Sequence, residues 1–221
     1  DRFEHNEQTL RVVEVLEKRV PEFPGLNLSM EVLEGLMKHR NIHHSLEAQV
    51  VDIADAIAYH HHDIDDGLRS GILNLEVLRS SIGIWDTVTE ELDRVSCGEE
   101  LYRRVAIGRL MSLFIGDIVE ESRDGKKIRF SEKMRIQVEA VAEFLGRHFY
   151  LHERVTRLSF RGQNIIKGLF EMYSKHENLL PLSFREQMSR EHRHVVIKDY
   201  ISGMTDRFAR ARFLEFFQTT L

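Results

Sequence analysis

Apolar residues recur at three- and four-residue intervals along almost the whole chain, and strand-like alternation is scarce. Of 221 residues only three are proline, and two of them, Pro21 and Pro24, bracket one turn. A chain with this pattern buries its apolar stripes by packing helix on helix. We therefore expect an all-α fold, with residues 1–221 forming a single helical domain. There is no internal repeat and no low-complexity linker.

The periodicity places the helices. The first is expected from Phe3 to Arg19, with Leu10, Val13, Leu16 and Val20 as its stripe and Pro21 as its stop. Ser29 caps a short helix carrying Val32, Leu33, Leu36 and Met37, and Ser45 opens a longer one that ends near Gly67. Two short helices, Leu73 to Ser80 and Asp86 to Val95, flank an exposed-looking SSIGIWD turn. Glu99 to Ser122 reads as a long helix with Leu101, Val105, Leu110, Phe114, Ile118 and Val119 inward. RDGKKIRF is expected as a surface loop or short hairpin; its basic residues suit phosphate, but a solvated loop is the preferred reading. Ser131 caps a helix to about Tyr150, and another runs from Gly162 to His176. After Leu180-Pro181, Ser183-x-x-Glu186 reads as a capping box that starts the last helical stretch, to Phe217.

Composition narrows the class. A net charge of −5 gives no global attraction to nucleic acid or to an anionic membrane. No apolar run approaches the roughly 18 residues of a membrane span, and no signal peptide is visible. The lone Cys97 excludes an intramolecular disulfide and fits a reducing, cytoplasmic setting. The first residue is Asp1 rather than Met, so we expect a piece or processed product of a longer protein.

The stretch SLEAQVVDIADAIAYHHHDIDDG, from Ser45 to Gly67, says most about function. At about 100° per residue, Leu46, Val50, Ile53, Ile57 and Ile64 share one side. Asp52, Asp55, Tyr59, His62, Asp63 and Asp66 share the other. Asp55, Tyr59 and Asp63 stack at four-residue spacing, a series that can hold a divalent cation and accept hydrogen bonds from a ligand hydroxyl. A solvated acidic face is the competing reading. Against it, aspartates crowded on one face repel one another, lack Lys or Arg partners until Arg69, and are poor helix formers.

The segments RFEHNEQTLRVVE, SLEAQVVDIADAIAYHHHDIDDGLRSG and DYISGMTDRFA, in this order, resemble the bacterial deoxyguanosinetriphosphate triphosphohydrolase-like proteins of the HD-domain hydrolase superfamily. The resemblance implies a multi-helix HD-domain-like bundle, incomplete at its N-terminus, with 1–123 in the catalytic core and 124–221 as a C-terminal helical portion. It implies cleavage of deoxynucleoside triphosphates to deoxynucleoside and tripolyphosphate, with a divalent metal, Mg²⁺ or Mn²⁺, held by a His, a His-Asp doublet and a later Asp. Asp55 matches that later Asp. Tyr59 and Asp63 match residues that contact the sugar. His5 matches a position near the phosphates, where it assists proton transfer or, on the plainer reading, satisfies a helix N-terminus. Tyr200 and Arg207 lie in a family motif; Asp206-Arg207 reads as an internal salt bridge, and Arg193 or Arg207 reaching a nucleotide is the other reading.

His62-Asp63 spells HD, but it lacks the Gly/Pro-rich turn that follows the metal-binding doublet and sits inside the later Asp motif. His62 is therefore expected to be an ordinary helix-face histidine, and His43, His44, His60 and His61 are likewise not expected as ligands. Three of the family's four metal ligands are missing, so the chain by itself is expected to be inactive. The resemblance also implies a homo-oligomer, with nucleic acid only as an effector. The alternative is a non-catalytic nucleotide-binding or assembly module, for which Ile82, Ile84 and Trp85 would serve as spare apolar contacts. An HD phosphodiesterase acting on another ester is a third, weaker class.

Overall fold

The helix expected from Ser45 forms, because the Ser45 hydroxyl accepts from the Ala48 amide at 3.2 Å. The computed structural model describes residues 3–37 and 45–218, and among these no strand occurs. The elements are α1 (His5–Arg11), a π-helical turn (Val12–Leu16), α2 (Met30–Leu36), α3 (Leu46–Arg69), α4 (Leu75–Ser81), α5 (Ile84–Thr89), α6 (Arg94–Cys97) and α7 (Glu99–Glu121). There follow α8 (Glu132–Leu145), a second π turn (Gly146–Tyr150), α9 (Glu153–Lys175), a 3₁₀ turn (Glu177–Leu179), α10 (Leu182–Gln187), α11 (Arg193–Ser202) and α12 (Asp206–Phe217). The all-α reading holds. The chain falls into two compact units, Asp1–Leu10 with Asn27–Val155, and Arg11–Leu26 with Thr156–Leu221.

In the first unit α3 packs against α7 and α8. Ile57 and Ile64 join Ala106, Leu110, Phe114, Val141 and Leu145 in one buried cluster. Ile82, Ile84 and Trp85 belong to the same cluster and are not spare contacts. The SSIGIWD segment exposes only its small and polar members, because α5 turns its apolar side onto α7. Conversely, Leu46, Val50, Leu101 and Val119, expected inward, lie exposed at or beyond the ends of the cluster.

Gly67 does not end α3. The helix runs on to Arg69, and the left-handed turn comes at Gly71, where φ is +69°. Gly67 is buried because a Cβ there would lie 2.4 Å from the Leu73 side chain. Ser131 caps α8 as expected, accepting from the Met134 amide at 3.2 Å. RDGKKIRF is a loop and not a hairpin, and its Arg129 is paired with Glu121 at 3.1 Å and Asp124 at 3.5 Å.

In the second unit Leu169, Met172, Tyr173, Leu180 and Ile197 form the core, ringed by Phe184, Tyr200, Phe213 and Phe216. The first helix stops short of Arg19. It widens into the π turn, where the Val13 carbonyl accepts from the Leu26 amide at 2.7 Å and Gly25 lies against the Glu14 backbone. α9 starts at Glu153, ahead of the expected Gly162. The last stretch breaks into three helices, and Ser183 lies inside α10 and does not cap it. The Asp199 carboxylate has no solvent exposure; Arg11 donates to it through Nε at 2.7 Å and also reaches Glu191. Asp206 and Arg207 form no ion pair among the described residues, since Thr205 caps α12 and Arg207 is exposed.

Two stability changes follow from these contacts. Gly67→Ala is expected to cost about 1–3 kcal/mol, because the added methyl must displace Leu73. Arg11→Met is expected to cost about 3 kcal/mol, because Asp199 loses its guanidinium partner while it stays buried. Urea unfolding midpoints measure both.

Candidate functional site

Asp55, Tyr59 and Asp63 lie on one stripe of α3, as the spacing requires, but the stripe runs from solvent into the protein. Asp55 is exposed and Tyr59 is 57% exposed, whereas Asp63 is only 8% exposed. The difference comes from Tyr150, the last residue of the second π turn. Its hydroxyl donates to Asp63 Oδ2 at 2.5 Å, and its ring stacks on Tyr59 with centroids 6.1 Å apart. Burial, reinforced by the Asp63 carboxylate and the Tyr59 hydroxyl, pushes the Tyr150 ionisation well above its ordinary value. Tyr150 is therefore a permanent donor near neutral pH. Among the described residues Asp63 Oδ1 takes no hydrogen bond, so it is left to accept one from a ligand.

The other acids of α3 find separate partners. Asp65 accepts from Arg103 Nε of α7 at 2.7 Å, and Asp66 lies 3.2 Å from His62 Nε2, one turn back. His62 is thus a helix-face residue, turned away from Asp63. His61 is in the core at 2% exposure, edge-on to Phe114 with centroids 5.3 Å apart. Its Nδ1 donates to the Ile57 carbonyl at 2.6 Å, and Nε2 is buried with no hydrogen-bond partner in reach among the described residues. Burial lowers the pKa of His61, and that of half-buried His60 beside it.

His5 heads α1, exposed, with Nδ1 3.2 Å from Glu4 Oε1. The helix start is satisfied by Glu4, whose Oε2 accepts from the Glu7 amide at 2.9 Å, and not by His5. Arg207 lies on α12 in the second unit, Arg193 pairs with Glu177 at 3.2 Å, and Tyr200 packs on Phe184 and Tyr173. His43 and His44 lie outside the described residues. Among the described residues no group of three or more His, Cys, Asp or Glu is gathered to hold a metal ion, and Asp55 by itself does not make such a site. No helix among them is long and apolar enough to cross a membrane.

The structure thus joins Tyr59 and Asp63 through Tyr150, a residue that sequence reasoning missed. The one local signal is a polar-tipped ring beside the inward stripe Val141, Leu145 and Phe149. Its partner stands 87 positions away along the chain, beyond the reach of any periodicity.

A phosphohydrolase-associated domain matches residues 128–215, a span that includes Tyr150. Over 98% of its length the chain is 35% identical to a deoxyguanosinetriphosphate triphosphohydrolase-like protein of Geobacter sulfurreducens, covering 65% of that protein. Proteins described in the same words from Leptospira interrogans and Wolinella succinogenes are each 34% identical over 94% of the chain, which covers 63% and 67% of them. The chain belongs to the deoxyguanosinetriphosphate triphosphohydrolase-like protein family. It spans about two thirds of the length of these relatives.

The buried imidazole sets a pH dependence. Because the folded state holds His61 and His60 below the ordinary 6.5, the unfolded chain binds more protons as pH drops. Stability is expected to fall as pH is lowered through about 6.5. His61→Gln, which carries no titrating ring, is expected to flatten that slope in urea midpoints taken from pH 7.5 down to about 5.

Proposed function

We propose that the full-length protein hydrolyses deoxynucleoside triphosphates to deoxynucleoside and tripolyphosphate. The reading rests on family membership and on one observation, the buried Asp63 carboxylate held by Tyr150 with the Tyr59 ring beside it. Asp63 Oδ1 would accept a sugar hydroxyl, and the Tyr59 ring would offer the sugar an apolar wall. Water attacks the α-phosphorus and the bond from phosphorus to the 5′ oxygen breaks. The nucleoside leaves with a protonated 5′-hydroxyl, and the water oxygen stays on tripolyphosphate. His5 is proposed to supply that proton and Arg207 to pair with the nucleotide. Asp55 is proposed as one ligand of a divalent metal, but the described residues do not complete a site, so no step is assigned to the ion.

The same observation on metal ligands favours a second reading for this chain by itself, in which it binds nucleotide without turnover. Tripolyphosphate release from each deoxynucleoside triphosphate, with Mg²⁺ or Mn²⁺, tests the proposal on the full-length protein. Tyr150→Phe is expected to lower kcat/KM at least about tenfold through loss of a hydrogen bond to a charged group, and Asp63→Asn further. Unchanged turnover in both variants would exclude the sugar-site reading. Tight nucleotide binding with no release by this chain by itself, beside a full-length protein that is also inactive, would favour the second.

A further inference from the structure

Helix α8 packs against α3, and the segments at its two ends both reach the stripe that carries Tyr59 and Asp63. Beyond its C-terminal end, Tyr150 covers Asp63. Ahead of its N-terminal end runs the RDGKKIRF loop, where the Ile128 amide donates to Gln49 Oε1 of α3 at 3.1 Å. Gln49, Tyr59 and Asp63 fall within about 80° of one another around the helix. The loop is therefore fastened to the same stripe, and Gln49 stands about 15 Å along it from Tyr59 at 1.5 Å per residue. Helix α7 enters the loop from the direction this requires. It runs antiparallel to α3, with Arg103 against Asp65 and Phe114 against His61.

Bonds within the segment hold the loop in shape. Ser122 Oγ accepts from the Arg129 amide at 3.0 Å, Asp124 Oδ1 accepts from the Lys126 amide at 3.2 Å, and Gly125 takes the left-handed conformation at φ +63°. Phe130 fixes the far end, edge-on to Phe114 with centroids 5.9 Å apart. The four cations of the segment are then used differently. Arg129 pairs with Glu121 and Asp124, and Arg123 with Glu120 at 2.9 Å. Lys126 and Lys127 lie exposed at the tip and enter no ion pair among the described residues. Two neighbouring ammonium groups on a fixed turn suit an anion of more than one charge.

A ligand seated at Asp63 can extend in one direction only. Tyr150 and the core close the stripe at the Asp63 end, and the other end is open past Asp55 toward Gln49. A deoxynucleoside triphosphate has one free sugar hydroxyl, at the 3′ carbon, and its phosphates leave from the 5′ carbon across the ring. With that hydroxyl on Asp63, the phosphates run toward the open end. The loop tip stands at the end of this path, and the four-carbon stem of each lysine lets its ammonium reach back along it. We propose, on the sugar-site reading above, that Lys126 and Lys127 hold the outer phosphates of a deoxynucleoside triphosphate whose sugar lies at Tyr59 and Asp63. Held at the sugar and at the outer phosphates, the substrate presents the α-phosphorus between them in a fixed position for attack by water.

Calorimetric titration of the full-length protein with tripolyphosphate, and separately with each common deoxynucleoside, tests the proposal. The wild type is expected to bind tripolyphosphate and a deoxynucleoside. Lys126→Ala together with Lys127→Ala is expected to weaken tripolyphosphate binding at least about tenfold, through loss of charge-assisted contacts, and to leave deoxynucleoside affinity and melting temperature unchanged. Asp63→Asn is expected to do the reverse and weaken the deoxynucleoside alone. Arg123→Ala removes a charge from the same loop, but one already paired with Glu120, and is expected to leave both affinities as they are. A wild type that does not bind tripolyphosphate overturns the proposal, as does a double lysine variant that binds it as tightly as the wild type. So does an equal loss in Arg123→Ala, since the effect is then one of net charge. A deoxynucleoside affinity untouched by Asp63→Asn overturns instead the sugar-site reading on which the path of the phosphates depends.

Discussion

The packing of α3 on α7 at Ile64, His61 and Phe114 is the constraint on which the first unit depends. A helix fixed by one face has every other face aimed as a consequence. With Ile57, His61 and Ile64 turned inward, Asp63 lands at the border of the core, and Asp55 and Tyr59 follow the same stripe out to solvent. The edge contact of His61 with Phe114 and its bond to the Ile57 carbonyl use an imidazole where an apolar residue would be ordinary. Precision in the placement of α3 is obtained with a group that tolerates burial only while neutral.

Charge on α3 is handled residue by residue. Asp65 is paired by Arg103 from the neighbouring helix, Asp66 by His62 on its own helix, and Asp63 by a hydroxyl from the turn after α8. Only the last of these leaves a carboxylate both buried and able to accept again. A full countercharge would saturate that carboxylate, whereas a phenol stabilises it through one oxygen and leaves the other for a ligand. The second unit uses the opposite device: Asp199 is buried against a guanidinium, which favours fixed structure over ligand binding.

The two sides of α7 follow from the same packing. Its inner residues complete the core beneath α3, and its outer side carries Gly108, Ser112 and Gly116 with Arg109 beside them. Burial of Ile82, Ile84 and Trp85 removes the apolar contacts that the local sequence offered for assembly.

Sequence by itself determined the helical class, the starts of α3 and α8 at Ser45 and Ser131, the Asp55–Tyr59–Asp63 stripe and the family. All of these depend on residues close together in the chain, through caps, 3.6-residue periodicity or contiguous motifs. Periodicity gives the direction in which a side chain leaves its helix but not what lies across from it. Tertiary structure therefore decided that Asp63 is buried under Tyr150, that His61 is a core residue, that Gly67 is a contact rather than a stop, and that the SSIGIWD segment folds inward while Val119 faces out. Each depends on a neighbour brought up from another element, and contacts of that kind exist only once the helices have packed.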